Sequence, residues 1–286
     1  MGALLHTPLV APPNRQASLG LAPVAAPVTD PPERWEAGFS FDPETCQDPQ
    51  LQAMDCGTGV TKNRMANPGF VNYAPAAIIA NAWCSTLTGD RQAAARADRA
   101  LRGSEWWGLE RLLWTGEAES DDPADGTVRP HLADGRATVL TGSGNVAEGV
   151  ARLDQALADC LKGSPGVIHM SAVAHSRAYQ LRAITYEGGR WISPGGHFVV
   201  GGGGYTGGDP RPTVGGALPA APDLLADPIP AQTIYGTGPV FFLLGPVFST
   251  PEIVREVNDS SVRTERAGAV FYGPCCQFAA SVAVET

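Results

Sequence analysis

The chain has 286 residues and a formal net charge of −9, from 20 Lys and Arg against 29 Asp and Glu. Charged residues make up only 17% and hydrophobic ones 43%, which allows a core under a surface poor in charge, as expected where much of it is buried against neighbours. The acidic balance excludes an outer face that grips nucleic acid, which needs clustered Lys and Arg, and 34 Gly with 25 Pro exclude a bundle of long solvated helices.

Residues 1–45 hold the strings TPLVAPPNRQ and LAPVAAPVTDPP. Proline removes backbone donors and fixes φ, so this stretch reads as an extended arm. Leu4, Leu5, Leu9, Leu19 and Leu21 stud it with apolar side chains suited to lying over a partner. The N-terminus lacks a basic segment followed by an apolar run, so it makes a poor signal peptide. No stretch has the 18 or so apolar residues of a membrane span, so no membrane partner is expected. Residues 46–89 read as a long irregular loop ending in one buried strand within APAAIIANAW.

Residues 90–115 give the strongest helix signal, with Asp90 as cap and Gly116 in the position that accepts a left-handed exit. Ala97, Leu101, Ser104, Gly108 and Leu112 mark one face, widened by Trp106, Trp107, Leu109, Leu113 and Trp114. Gly103 and Gly108 each cost about 1 kcal/mol against Ala, which points to close approach of another element or a bend. An acidic turn-rich stretch follows, then a possible strand at ATVL and a helix over about 146–162 stopped by Gly163. VIHM reads as a buried strand and SAVAHSRAYQLRA as a helix begun by Ser171. RWI and HFVV flank a Pro-Gly-Gly turn, and 206–232 read as an exposed loop. QTIYGTGPVFFLLGPVF reads as a pair of buried strands, and SSVRTERAGAVFYGPCCQFAASVAVE closes the chain as strands. The class is α+β.

No standard set of catalytic residues stands out. The run Gly201–Gly204 lacks the Lys of a phosphate loop. Ser143 in TGSGN fails the nucleophile-elbow pattern at Asn145. His169, His175 and His197 have no ligand spacing and read as packed histidines, and the acidic residues 117–122 lie in an exposed loop. Cys46, Cys56, Cys84, Cys160, Cys275 and Cys276 lack zinc-site spacing, and the chain reads as intracellular when made, with its thiols mostly reduced. No enzyme activity, cofactor or metal is expected.

The segment RADRALRGSEWWGLERLLWTG resembles the long spine helix of tailed-phage major capsid proteins of the Hong Kong ninety-seven type, and of the related encapsulins. That helix ends in a pattern like Glu-x-x-x-[Phe/Trp]-x-Gly, here Glu110, Trp114 and Gly116. VARLDQALADC with VIHMSAVAHSRAYQLR, GRWISPGGHFVVGGGGY and VRTERAGAVFYGPCCQFAASV are similar to later parts of the same family, most of all in phages of actinobacteria. The resemblance implies an N-terminal arm over 1–45, an extended loop over 46–89, and a spine helix with peripheral lobe over 90–140. An axial lobe over 141–245 and closing peripheral strands over 246–286 complete it. It implies a major capsid subunit that forms pentamers and hexamers of an icosahedral head, assembled in the host cytoplasm and enclosing double-stranded DNA without sequence-specific binding. Scaffold, portal and decoration proteins are the further partners. Leu4, Leu5 and Leu9 would dock the arm, Trp106, Trp107 and Trp114 would anchor the spine, and Arg263 and Arg266 would make inter-subunit ion pairs. The competing readings are a neck, tail or decoration protein, an encapsulin-like shell, and last a hydrolase.

Overall fold

The computed structural model describes residues 19–41, 71–85, 93–116, 129–142, 144–205, 231–254 and 259–284. Two short strands, β1 (Ala26–Pro27) and β2 (Phe39–Phe41), flank a 3-10 turn at Trp35–Ala37. β3 (Val71–Tyr73) pairs antiparallel with β2. β4 (Ala76–Ser85) and α1 (Ala93–Thr115) follow.

The buried face of α1 steps through Ala93, Ala97, Leu101, Glu105, Leu109 and Leu113. The expected face through Ser104 and Gly108 is therefore shifted, because Glu105 is buried with an ionic partner of its own. Gly116 ends the helix with φ +71° and returns its N–H to the Leu112 carbonyl at 2.9 Å, the left-handed exit expected from sequence.

β5 (Thr138–Val139) and β6 (Gly144–Asn145) lead into α2 (Val146–Leu161). The Asn145 side chain accepts from Glu148 N–H at 3.0 Å, and Val146, Val150, Leu153, Leu157 and Leu161 are all buried. The left-handed exit falls on Lys162 (φ +51°), one residue before Gly163 (φ +91°), where the sequence placed the stop. β7 (Val167–His169) precedes α3 (Ala172–Gln180), whose first turn is capped by Ser171 accepting from Ala174 N–H at 3.1 Å. β8 (Thr185–Glu187), β9 (Arg190–Ile192), β10 (Phe198–Val200), β11 (Gln232–Thr237), β12 (Val240–Leu244), β13 (Phe248–Val254), β14 (Asp259–Tyr272) and β15 (Phe278–Ala283) complete the described chain.

The strands form two main sheets. In the first, β14 is the axis. One edge pairs antiparallel with β4 from Asp259↔Ser85 to Gly268↔Ala76. Its other edge is shared: β13 takes Asp259 to Glu265 and β12 takes Gly268 to Tyr272. β1 adds in parallel to β12. The second sheet runs β5-β15-β11-β7-β10-β9-β8, with β6 also on β15.

The strands read from sequence as neighbours at 232–248 therefore do not pair with each other. β11 lies in the second sheet and β12 in the first, and the same division separates β14 from β15. Gly238 and Gly273 mark the two crossings, and a Cβ on Gly238 would lie 4.0 Å from the Gly273 carbonyl oxygen. β12 shares its sheet with the early strand β4. β15 packs against α2 through Ala280 and Val282.

Three apolar clusters hold these layers. α2 and α3 cover one face of the second sheet through Val150, Leu153, Leu157, Ile168, Ile234 and Val282. Leu109, Leu113 and Trp114 of α1 join both sheets through Val167, Val200, Tyr235, Val270 and Tyr272. Trp35, Tyr73, Phe39 and Phe41 lie over Leu243 and Phe271 of the first sheet. At one pair the expectation of reduced thiols is corrected. The fold brings the last turn of α2 against a 3-10 turn at Pro274–Cys276, where Cys160 and Cys276 form a disulfide with Cα atoms 5.8 Å apart. Among the described residues no helix is long and apolar enough to cross a membrane.

Candidate functional site

The spine helix α1 packs on the first sheet and reaches Val167, Val200 and Tyr235 of the second, and its side chains define the candidate site. Trp114 is fully buried, with its ring 5.2 Å from that of Tyr205 and edge-on to Tyr235 at 5.0 Å. Trp106 is half-buried and meets Phe242 edge-on at 4.9 Å, tying α1 to the first sheet. Trp107 is 48% exposed. Its indole N–H donates to the Gly203 carbonyl at 3.1 Å, and the Arg111 guanidinium lies 5.6 Å from its ring centre. The three tryptophans thus reach three different directions. Leu4, Leu5 and Leu9 lie outside the described residues, as do Asp90 and Ser143.

Glu110 was quoted only as part of a helix-ending pattern, yet it organises the site. Its carboxylate accepts the Leu21 N–H at 2.9 Å and the Gly204 N–H at 3.1 Å. One acidic side chain therefore joins the incoming N-terminal segment, the spine helix and the loop after β10. Burial pushes its carboxyl pKa above the usual range, partly opposed by the two backbone donors. Leu21 beside it is fully buried.

The tetraglycine run explains how that loop comes so close. A Cβ on Gly202 would meet the Glu110 carboxylate. On Gly204 it would lie 2.6 Å from the Trp107 carbonyl oxygen and 2.7 Å from Arg111 N. Backbone against backbone leaves no room for a side chain, so the glycines serve close packing. Gly108, expected to be a close-packing position, is not one: its nearest neighbour for an added Cβ is Ile78 Cγ2 at 3.8 Å.

Arg266 is held inside the chain. Its Nη1 pairs with Glu105 at 3.0 Å, while Nε and Nη2 donate to the Gly245 carbonyl at 3.0 and 2.7 Å. Three of its donors are thus engaged within the chain, across α1 and the β12–β13 turn. Arg263 pairs with Glu265 on its own strand at 2.7 Å and stays partly exposed. Register places Phe248, Glu265 and Ile79 in one row across β13, β14 and β4, with Arg263 in the next row beside Thr250 and Asn81. Phe248 and Ile79 are exposed large apolar side chains, so this outer face of the first sheet combines apolar contacts with an ion pair, as protein interfaces do.

The histidines are packed. His169 is fully buried between Tyr205 Oη (3.1 Å) and Thr237 Oγ1 (2.9 Å), and burial pushes its pKa down to about 3. His175 lies edge-on to Trp191 at 4.8 Å, its pKa lowered to about 4 by burial. His197 Nδ1 accepts from the Gly166 N–H at 2.9 Å. Among the described residues no group of three or more His, Cys, Asp and Glu side chains is placed to hold a metal ion. These side chains tie the N-terminal segment, α1, the loop after β10 and both sheets together.

No protein-family model matches the chain, and no curated protein matches it by sequence. Solved structures do match it by shape. A chain from the capsid of a native GTA particle superposes with TM-score 0.53 at 10% identity, over 97% of this chain and 95% of that one. A chain of Gordonia phage Cozz gives TM-score 0.53 at 11% identity, over 98% and 92%. The holo-SrpI encapsulin complex from Synechococcus elongatus matches at TM-score 0.47 with 12% identity, over 98% and 94%, which is too loose to assign a fold. The two closer superpositions run almost end to end, so the chain has the α+β fold of phage capsid subunits of the Hong Kong ninety-seven type.

Proposed function

We propose that this chain is a structural virion protein, the major capsid subunit of an icosahedral phage head. The observation that carries the reading is the near-complete superposition on the GTA capsid chain, at 97% of this chain and 95% of that one, with the spine helix at the centre of the fold. In this reading α1 and the first sheet make the peripheral lobe, and α2, α3 and the second sheet make the axial lobe. Residues 1–45 are the arm and residues 46–89 the extended loop region.

Copies of the chain assemble into pentamers and hexamers through heterologous contacts, which close into rings when the rotation closes. The outer face around Phe248, Ile79 and the Arg263–Glu265 pair supplies one contact, and the leucines at 4, 5 and 9 dock the arm on a neighbour. The head encloses double-stranded DNA without reading its sequence, consistent with the net charge of −9. Scaffold, portal and decoration proteins are its further partners, and the protein works in the virion after assembly in the host cytoplasm, without enzymatic activity.

The test is the mass of the chain expressed alone, read by mass photometry, with the content of any large species read by protein mass spectrometry. Megadalton particles containing this chain alone support the reading. Megadalton particles that carry a distinct protein cargo favour an encapsulin-like compartment. A single small oligomer that is neither a pentamer nor a hexamer, such as a trimer, points to a neck, tail or decoration protein.

A further inference from the structure

We infer that Cys160 and Cys276 form a thiol–disulfide staple that sets the rigidity of the junction between the two sheets. The two residues are 116 positions apart in sequence, so their bond closes a long loop. Cys160 occupies the last turn of α2. Cys276 ends the 3-10 turn in which the chain passes from β14 in the first sheet to β15 in the second.

The other crossing lies at the same place. A Cβ on Gly238, between β11 and β12, would sit 3.6 Å from Leu161 Cδ2 on α2 and 4.0 Å from the Gly273 carbonyl oxygen. Leu157 and Leu161 of the same helix end also lie against Gly166, and Leu157 against Gly236. The C-terminal end of α2 is thus packed on both points where the chain changes sheets. Two small residues, Gly238 and Gly273, mark those points, and a covalent bond from Cys160 to Cys276 fixes the helix to them.

The chemistry is reversible. Cys276 is 1% exposed, while Cys160 is half-buried and the more accessible of the two residues. A small thiolate attacks Cys160 Sγ, the disulfide bond breaks, and its electron pair leaves on the Cys276 sulfur, which takes up a proton. A second small thiol then cleaves the mixed disulfide, releasing a small-molecule disulfide and the Cys160 thiol. Oxidation is the reverse: a low-molecular-weight disulfide accepts two electrons and two protons and leaves as two thiols. A chain made in a reducing compartment has a yielding junction, and exposure to an oxidising medium closes it. This holds for the single chain whether or not it builds a shell.

The experiment uses the full-length chain, equilibrated with oxidised glutathione or with dithiothreitol, alkylated, digested and mapped by mass spectrometry, with melting curves on the same two samples. The expected result is a cross-link from the peptide of position 160 to the peptide of position 276 after oxidation, two hydrogens lost for each disulfide formed, and its absence after reduction. Reduction should lower Tm by about 5–10 °C. Cys160→Ala should show a clearly smaller redox shift than the wild type, since Cys275 is disulfide-bonded as well and that bond stays redox-sensitive in the variant. Alkylatable thiols at both positions after oxidation would overturn the proposal. So would a wild-type Tm indifferent to reduction, or an equal redox shift in Cys160→Ala. If that variant does not fold, Cys160→Ser takes its place with the same two readouts.

Discussion

Glu110 takes two backbone N–H groups, those of Leu21 and Gly204, that have no access to solvent. Glu110→Ala leaves both donors unsatisfied and is expected to cost about 2–4 kcal/mol, checked by urea denaturation. Glu110→Gln keeps an acceptor oxygen, so a smaller loss is expected. The neighbouring glycines allow a sharper comparison. Gly204→Ala drives a methyl into the backbone of α1 and is expected to cost about 3 kcal/mol. Gly203→Ala meets only Trp107 Cδ1 at 3.5 Å and is expected to stay within about 1 kcal/mol of wild type. Equal losses at the two positions would contradict the close approach assigned to Gly204.

At the scale of elements, Arg266 ties α1 to the β12–β13 turn through Glu105 and the Gly245 carbonyl. Arg266→Ala strands a largely buried carboxylate, so a loss of about 3 kcal/mol is expected from denaturant melts. Glu105→Gln in the same background should recover part of it, because the stranded charge is then gone. The helices were legible in the sequence because their signals are local: the cap at Ser171, the apolar stripe of α2 and Gly116 each sit within a turn of what they determine. Glu105 and Glu110 were not legible as buried groups, since a carboxylate on a helix face reads as solvated unless its partner is known. Those partners, Arg266 and the backbone of Leu21 and Gly204, lie between 89 and 161 positions away. The split of β11 from β12 was hidden for the same reason. Alternation shows that a segment is a strand, but only the register with β15 and β14 shows which sheet holds it. The capsid-type fold was legible through the closing pattern of the spine helix, where Glu110, Trp114 and Gly116 each have a distinct structural task.

Over the whole molecule, buried histidines and a buried carboxylate give stability opposite dependences on pH. His169 and His175 stay neutral in the fold, with pKa values lowered to about 3 and about 4, while the unfolded chain takes up protons near 6.5. Their contribution is fully present above about pH 6.5 and is lost as pH falls toward 4, because the unfolded state then binds more protons. Glu110, with its raised carboxyl, acts the other way: its contribution is present at low pH and weakens as pH rises through its folded pKa. Melting curves from pH 7 to pH 4 should therefore show a falling Tm, and His169→Gln should flatten the fall.

The central claim is that copies of this one chain close into rings and shells. Negative-stain electron microscopy of the purified full-length chain tests it most directly. Rings of five and six, or closed icosahedral particles built from them, are the expected result. A stable trimer or a twelve-fold ring would contradict it and make the chain a different part of the virion.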